Sequence, residues 1–179
     1  MKDSYYDSFR LRGYSRREFL QICAILTASI GLEASFIPKV AYALENKPRL
    51  PVIYLHLQEC TCCAESFIRT AHPLIADMLF NMISLDYMET LQAAAGHQAE
   101  AAKKKTMQDY KEHYLVVVEG SIPLKDDGIY CTIGGIAAKD ILLEAAKDSI
   151  GVIAFGSCAT NTCVQGAHPN PTGAVPVKD

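Results

Sequence analysis

Three cysteines lie within four positions directly after an apolar run. Cys60, Cys62 and Cys63 follow residues 51–57, whose sequence Pro-Val-Ile-Tyr-Leu-His-Leu is typical of a buried strand. A disulfide needs two thiols and a catalytic nucleophile needs one, whereas several soft thiolates together are the usual ligands of iron–sulfur clusters and zinc. The spacing therefore indicates a cradle for a metal cluster on a turn at the end of a strand.

Disulfide bonds are the alternative use of these thiols. Six cysteines lie beyond the first 43 residues; they are Cys60, Cys62, Cys63, Cys131, Cys158 and Cys163. An even number is typical of disulfide frameworks in exported proteins. Such frameworks mostly serve small domains that lack a core, and this chain is rich in apolar segments. The spacing favours metal ligation and leaves disulfides open, with Cys131 interpreted as a buried structural thiol.

The first 43 residues have the pattern of a secretory signal peptide. Four arginines between residues 10 and 17 precede an apolar segment, Phe19 to Leu32, and Ala41-Tyr42-Ala43 fits a cleavage site. The segment from Ser15 to Leu20, Ser-Arg-Arg-Glu-Phe-Leu, resembles the twin-arginine export signal. We expect a signal peptide at 1–43 and one domain at 44–179. The alternative is an amphipathic N-terminal helix of the folded domain.

Composition narrows the possible partners of residues 44–179. This part is long enough for one compact core. It carries 11 Lys and Arg against 16 Asp and Glu, a formal charge of −5, and has no basic stripe. We therefore expect no nucleic-acid partner. No apolar run here is long enough to cross a membrane, so we expect membrane attachment through another chain or through sequence beyond Asp179.

Predicted strands alternate with predicted helices along this domain. The strands are expected at 52–57, 83–87, 114–118 and 150–155, and the last two are interpreted as covered on both faces. Helices are expected at 64–81 with a second start at Pro73, at 90–112 with Lys103 to Lys105 on a solvated face, and at 136–148. This alternation predicts an α/β fold with a doubly wound parallel sheet.

The groups that could bind a cofactor follow three of the predicted strands. Cys60 to Cys63 follow the first, Glu119-Gly120 follow the strand at 114–118, and Gly156-Ser-Cys158 follow the strand at 150–155. Open parallel sheets bind ligands outside the carboxyl ends of their strands. We therefore expect these distant thiols to meet, with Gly120 and Gly156 letting the backbone approach a bulky cofactor.

Five longer motifs carry a family resemblance. They are His56-Leu-Gln-Glu-Cys-Thr-Cys-Cys-Ala-Glu-Ser-Phe-Ile-Arg-Thr-Ala-His-Pro73, Val118-Glu-Gly-Ser-Ile-Pro123, Asp127-Gly-Ile-Tyr-Cys-Thr-Ile-Gly-Gly135, Gly156-Ser-Cys-Ala-Thr160 and Pro169-Asn-Pro-Thr-Gly173. With them, residues 44–179 resemble the N-terminal half of the small subunit of nickel–iron hydrogenases. The resemblance implies a flavodoxin-like domain holding the 4Fe–4S cluster nearest the active site, the proximal cluster. It implies Cys60, Cys63 and Cys158 as three ligands; the family's fourth lies in a later Gly-Cys-Pro-Pro segment that residues 1–179 do not contain.

Two further cysteines depart from the commoner pattern of that family. Cys62 and Cys163 stand where most members have glycine. In the oxygen-tolerant, membrane-bound branch both positions are cysteine, and the proximal cluster is a modified, sulfide-poor form with six thiolates. That branch has an aromatic residue and glycine where this chain has Asn161-Thr162, so oxygen tolerance is a hypothesis. The resemblance also implies that Glu119 lies beside the cluster, where a carboxylate binds iron or takes a proton; the alternative is a solvated carboxylate at a strand end.

The implied function is electron transfer within an exported uptake hydrogenase, on the periplasmic side of the cytoplasmic membrane. A large subunit carrying nickel–iron would split dihydrogen. Electrons would pass through the proximal cluster, and through 4Fe–4S and 3Fe–4S clusters in further sequence, to a membrane cytochrome b and quinone. No catalytic residue for hydrogen chemistry is predicted in this chain. The alternatives are an exported structural metal-binding or disulfide-bonded protein without a redox role, and a cluster subunit like that of respiratory complex I.

Overall fold

The computed structural model describes residues 4–29, 33–46 and 49–178, which form two compact units. One unit comprises Met1–Arg49 with Ala76–Ile83, and the other comprises Leu50–Ile75 with Ser84–Asp179. The second unit carries all the cysteines predicted to bind a cofactor.

The first unit is helical in its N-terminal part. Its helices are α1 (Tyr5–Leu11), α2 (Arg16–Ser29) and α3 (Ile37–Asn46). A capping box starts α2, because the Glu18 carboxylate accepts the Ser15 backbone N–H at 2.8 Å and the Ser15 hydroxyl accepts the Glu18 N–H at 3.3 Å. Phe19 is fully buried, with its ring centroid 4.9 Å from that of Tyr6. Two arginines of the predicted export motif therefore occupy the first turn of a capped helix.

The predicted signal peptide falls within this unit. The last three residues of its apolar segment, 30–32, lie outside the described residues, and the predicted cleavage site lies within α3. Among the helices that the structure describes, none combines the length and the apolar character needed to cross a membrane.

A central sheet organises the second unit. The strands of the chain are β1 (Leu50–His56), β2 (Ile83–Tyr87), β3 (Leu115–Glu119), β4 (Ile122–Pro123), β5 (Thr132–Ile133), β6 (Ile136–Ala137), β7 (Gly151–Phe155) and β8 (Ala174–Val175). The sheet has the order β2-β1-β3-β7, and β1, β3 and β7 run parallel. Two antiparallel pairs, β4 with β8 and β5 with β6, stand apart from it. The predicted α/β fold with a parallel central sheet is confirmed.

One face of the sheet, which we call the packed face, carries the main core. It comprises Ile53, Leu55 and Leu57 of β1 and its end with Val116 and Val118 of β3. Buried residues of α6 (His97–Asp109) and α7 (Ala138–Lys147) belong to the same cluster. Parallel pairing sets Ile53 beside Val116 and Leu55 beside Val118, so alternate residues of each strand build one apolar layer.

The opposite face, which we call the site face, is partly polar. It comprises Tyr54, His56, Val117, Glu119 and Phe155, which the same register places side by side. Its buried cluster is small and consists of Tyr54, Ala64 and Met88, with Phe67 packed against it. Ala64 and Phe67 belong to α4 (Cys62–Ile68), the helix that follows the cysteine turn.

The helices differ from their predicted bounds where local backbone geometry intervenes. The predicted helix at 64–81 is replaced by α4, the short α5 (Ile75–Asp77) and a π-helical turn at Met78–Met82, so the helix predicted to start at Pro73 begins two residues later. The predicted start at residue 90 is wrong, because Gly96, with φ of +54°, directly precedes α6. The predicted start at residue 136 is wrong, because Ile136–Ala137 pairs with Thr132–Ile133 as β6.

Two predicted exposures are also corrected. Lys103 is buried rather than solvated, because its ammonium lies 2.7 Å from the Glu100 carboxylate and 4.9 Å from the Tyr87 ring centroid. The strand β7 is not covered on both faces. It lies at one edge of the sheet, and Val152 and Ile153 are 39% and 46% exposed.

Candidate metal centre

The carboxyl ends of three parallel strands meet at one edge of the sheet. His56 ends β1 beside Glu119 of β3, and Glu119 lies beside Phe155 of β7. The segments that follow these strands therefore leave the sheet at the same edge, as the sequence predicts.

Two cysteines that are 98 positions apart come together at this edge. The Sγ atoms of Cys60, after β1, and Cys158, in α8 (Ser157–Asn161), lie 3.4 Å apart. The structure records all seven cysteines of the chain as free thiols. The disulfide alternative therefore has no support in the described residues, whereas the predicted meeting of the two segments is found.

Cys63 reaches the same place through a close approach to Gly156. A Cβ at Gly156 would lie 2.1 Å from Cys63 Sγ, and Gly156 has φ of +84°. Only glycine leaves room for this thiol at this backbone conformation. Gly120 has a different role from the predicted one, because a Cβ there would lie 2.7 Å from the Gln58 carbonyl. It makes room for the neighbouring loop rather than for a cofactor.

Cys62 and Cys163 complete a group of five thiols. Cys62 is the first residue of α4, and Cys163 lies in the loop after α8. The thiol of Cys62 hydrogen-bonds with Cys60, and a thiolate at Cys163 acts electrostatically on both Cys62 and Cys158. Cys62 therefore lies beside Cys60, and Cys163 lies within electrostatic range of Cys62 and Cys158.

The thiols differ in their readiness to lose a proton. The Cys62 backbone N–H, followed by the Cys158 thiol, lowers the pKa of Cys60 through hydrogen bonds to its sulfur. Hydrogen bonding to Cys60 raises the pKa of Cys62, burial raises that of Cys63, and burial raises that of Cys158 to about 12. A soft cation bound by thiolates would displace these protons, so the donor set fits an iron–sulfur cluster or zinc and would bind either with proton release.

Glu119 faces the thiols from the end of β3. Its side chain is fully buried, so the alternative of a solvated strand-end carboxylate is wrong. Its Oε1 accepts the backbone N–H of Cys63 at 3.0 Å, and its Oε2 accepts the Tyr54 hydroxyl at 2.8 Å. The carboxylate thus links the strand to the cysteine turn.

Three further residues beside the thiols were missed by sequence reasoning. His56 Nδ1 lies 3.1 Å from Glu59 Oε1 and 3.8 Å from Glu119 Oε2, so His56 is part of an acidic cluster. Burial lowers the pKa of His56. Burial, followed by a hydrogen bond to Glu119, raises the pKa of Glu59 to about 8. The third residue, Tyr54, lies two positions before His56 in β1, so both side chains are on the site face. This alternation along the strand was the signal in the sequence that could have identified Tyr54.

Cys131 belongs to the surroundings of the main core. It packs against that core, and burial, followed by the charges of Glu89 and Glu59, raises the pKa of its thiol. Its surroundings match the predicted structural role, although the residue is only half-buried.

Comparison with known proteins finds relatives that match nearly the whole chain. A sequence model of the family described as NADH ubiquinone oxidoreductase, 20 Kd subunit, matches residues 60–179. The uptake hydrogenase small subunit of Azotobacter vinelandii is 54% identical over 175 residues, which are 98% of this chain and 49% of that protein. The hydrogenase-1 small chain of Escherichia coli K12 is 47% identical over 176 residues, 98% of this chain and 47% of that one. The chain thus spans about half the length of the curated relatives it matches.

Solved structures are similar over the larger part of the chain. The recombinant NiFeSe hydrogenase of Desulfovibrio vulgaris Hildenborough matches 74% of this chain and 49% of its own, with a TM-score of 0.71 and 35% identity. The Ni-Fe-Se hydrogenase of Desulfomicrobium baculatum matches 73% of this chain and 50% of its own, with a TM-score of 0.71 and 29% identity.

Proposed function

We propose a function from the premise that the chain belongs to the family described as NADH ubiquinone oxidoreductase, 20 Kd subunit. The chain serves as the electron-transfer small subunit of a nickel–iron uptake hydrogenase and holds the iron–sulfur cluster that first receives electrons from dihydrogen. Its 47–54% identity to hydrogenase small subunits over nearly its whole length supports this member of the family over a complex-I-like subunit.

The meeting of Cys60 and Cys158 carries the proposal. These sulfurs come from distant segments and lie 3.4 Å apart without a disulfide. A protein without a metal would gain little from gathering free thiols of distant segments at one edge of the sheet, whereas soft thiolates are the ligands that iron–sulfur clusters need.

The residues of this chain would have distinct roles. Cys60, Cys63 and Cys158 would ligate a proximal 4Fe–4S cluster, which supplies one-electron transfer when bound. Gly156 keeps the space for the Cys63 thiol, and Glu119 holds the Cys63 backbone. The strand order β2-β1-β3-β7 supports a flavodoxin-like arrangement, in which ligands bind at this edge.

Cys62 and Cys163 would extend the ligand set to a modified, sulfide-poor cluster. The electrostatic effect of Cys163 on both Cys62 and Cys158 supports this, because anionic ligands stabilise oxidised iron. Such a site favours oxygen tolerance. Replacing both cysteines, Cys62→Gly with Cys163→Gly, should make hydrogen oxidation more sensitive to oxygen. Unchanged inhibition by oxygen would contradict this part of the proposal.

Export and assembly complete the proposed role. Residues 1–43 would act as a twin-arginine signal peptide, in which Ser15 and Glu18 cap α2 and leave both arginines exposed. Residues 44–179 would then work on the periplasmic side of the membrane. The partners would be a large subunit carrying nickel–iron and a membrane cytochrome b, with further 4Fe–4S and 3Fe–4S clusters held outside residues 1–179.

Iron and acid-labile sulfide analysis tests the cluster directly. The full chain, produced anaerobically together with its large subunit, should contain both elements and absorb near ~400 nm. Cys158→Ser should lose iron and this absorption. The matched control is Cys131→Ser, because Cys131 packs against the main core and is not a predicted ligand, so its loss should leave the iron content unchanged.

Two outcomes would contradict the proposal. A wild-type protein without iron and sulfide would favour the alternative of a structural exported protein. Co-purification without a nickel-containing partner, in a protein that does hold a cluster, would favour the complex-I-like alternative.

A further inference from the structure

The two oxygens of the Glu119 carboxylate face different partners. Oε1 accepts the backbone N–H of Cys63, and Oε2 accepts the hydroxyl of Tyr54 at 2.8 Å. The carboxylate is fully buried, so its orientation is decided by these donors and not by water. Removal of either donor would therefore change the orientation of the carboxylate and with it the hydrogen bond to the other donor.

Tyr54 is itself held in place by the site face. Its side chain is buried, and its ring centroid lies 6.2 Å from that of Phe155 in an edge-on arrangement and 4.9 Å from that of His56. Burial, followed by the hydrogen bond to Glu119, raises the pKa of the phenol. The hydroxyl thus stays a neutral donor whose direction is set by the packing of a rigid ring.

The other polar groups near Glu119 differ from this donor. His56 Nδ1 lies 3.8 Å from Oε2, beyond hydrogen-bond distance, and is engaged with Glu59 at 3.1 Å. Glu59 also hydrogen-bonds with Glu119, and it donates only below its raised pKa of about 8. Tyr54 is the donor to Oε2 that keeps its proton on both sides of that pH.

We propose that Tyr54 is a positioning residue: its hydroxyl fixes the Glu119 carboxylate against the Cys63 backbone and thereby sets the negative charge that faces the bound cluster. The inference rests on the proposed function, since it requires a cluster at the cysteines. Groups that hydrogen-bond to ligating segments, and charge near the sulfurs, tune the potential of such clusters. Without the hydroxyl, the carboxylate is free to turn away from Cys63, and the cluster loses negative charge in its surroundings.

The test is the midpoint potential of the cluster in the full chain assembled with its partner. Tyr54→Phe keeps the ring and removes only the hydroxyl, and it should raise the potential in the same direction as Glu119→Gln. In the Glu119→Gln background, Tyr54→Phe should cause no further shift, because its effect passes through the carboxylate. A redox-difference infrared spectrum should show the carboxylate band of the wild type altered in Tyr54→Phe.

The matched control is Tyr114→Phe. Tyr114 is equally buried, but its hydroxyl donates to the Ala145 carbonyl on the packed face, so its loss should leave the potential unchanged. An unshifted potential in Tyr54→Phe, or an equal shift with and without Glu119, would overturn the inference. Loss of iron from Tyr54→Phe but not from Glu119→Gln would give Tyr54 a purely structural role and overturn it as well. Absence of a cluster from the wild type would overturn the proposed function together with this inference.

Discussion

The packed face and the site face of the sheet are formed by the same strands but have different roles. On the packed face, Leu55 and Val118 are fully buried among the side chains of two helices. On the site face, at the positions next in sequence, Tyr54 donates to Glu119, and Glu119 accepts the backbone N–H of Cys63 in the cysteine turn. Alternation along a strand thus lets one layer stabilise the fold while the other presents polar groups to a ligand.

The packed face should carry most of the stability, and Leu55→Ala tests this with the largest expected effect. Leu55 is fully buried in the main core, so truncation should lower the free energy of unfolding by about 2–5 kcal/mol. Chemical denaturation of the full chain measures this. Iron content per folded molecule should not change; a proportional loss of iron would show that the two faces are not separate in function.

The site face should respond to Gly156→Ala with a local rather than a global defect. The added Cβ would meet Cys63 Sγ, and φ of +84° strains any residue with a side chain. We expect a cost of about 1–3 kcal/mol in unfolding free energy together with a marked loss of iron. Normal iron content in this variant, measured beside Gly134→Ala, where an added Cβ meets nothing within 4 Å, would contradict the close approach.

Glu59 should make the stability of the metal-free chain depend on pH. Its pKa is raised from 4.5 to about 8 in the fold, so the folded state keeps a proton that the unfolded chain has lost. This contribution is fully present below about pH 4.5 and is lost as the pH rises through about 8. Glu59→Gln should reduce this pH-dependent loss of unfolding free energy by ~1 kcal/mol after allowance for solvent screening. Thermal melts across this range measure the effect, and an unchanged slope would exclude Glu59 as its source.

The edge strand should show the smallest effect. Ile153 lies on the site face of β7 and is 46% exposed, so Ile153→Thr should change the free energy of unfolding by less than about 0.5 kcal/mol. The same denaturation experiment measures it. A loss comparable to that of Leu55→Ala would mean that β7 is covered in the folded protein.

The sequence was sufficient to predict those features that follow from hydrophobic periodicity and from the direction of the strands. Strands were predicted at 52–57, 114–118 and 150–155 and end in the structure at His56, Glu119 and Phe155. Their parallel direction then brings Cys60 and Cys158 to one edge. The ligating roles of the cysteines remain a prediction.

Features that depend on register or on distant partners could not be predicted. The pairing of Tyr54 with Glu119 requires the register of β1 and β3. The burial of Lys103 depends on Glu100 and on the ring of Tyr87, and local charge alone indicated a solvated face. The exposure of β7 follows from its place at the edge, which a strand pattern does not reveal.

The 98 positions between Cys60 and Cys158 have a consequence for biogenesis. A nascent chain that has emerged only as far as β3 offers the turn with Cys60, Cys62 and Cys63 but lacks Cys158. If these cysteines hold the proposed cluster, its insertion would have to wait at least until α8 has folded beside the cysteine turn. Cluster loading would then report that segments far apart in the sequence have come together.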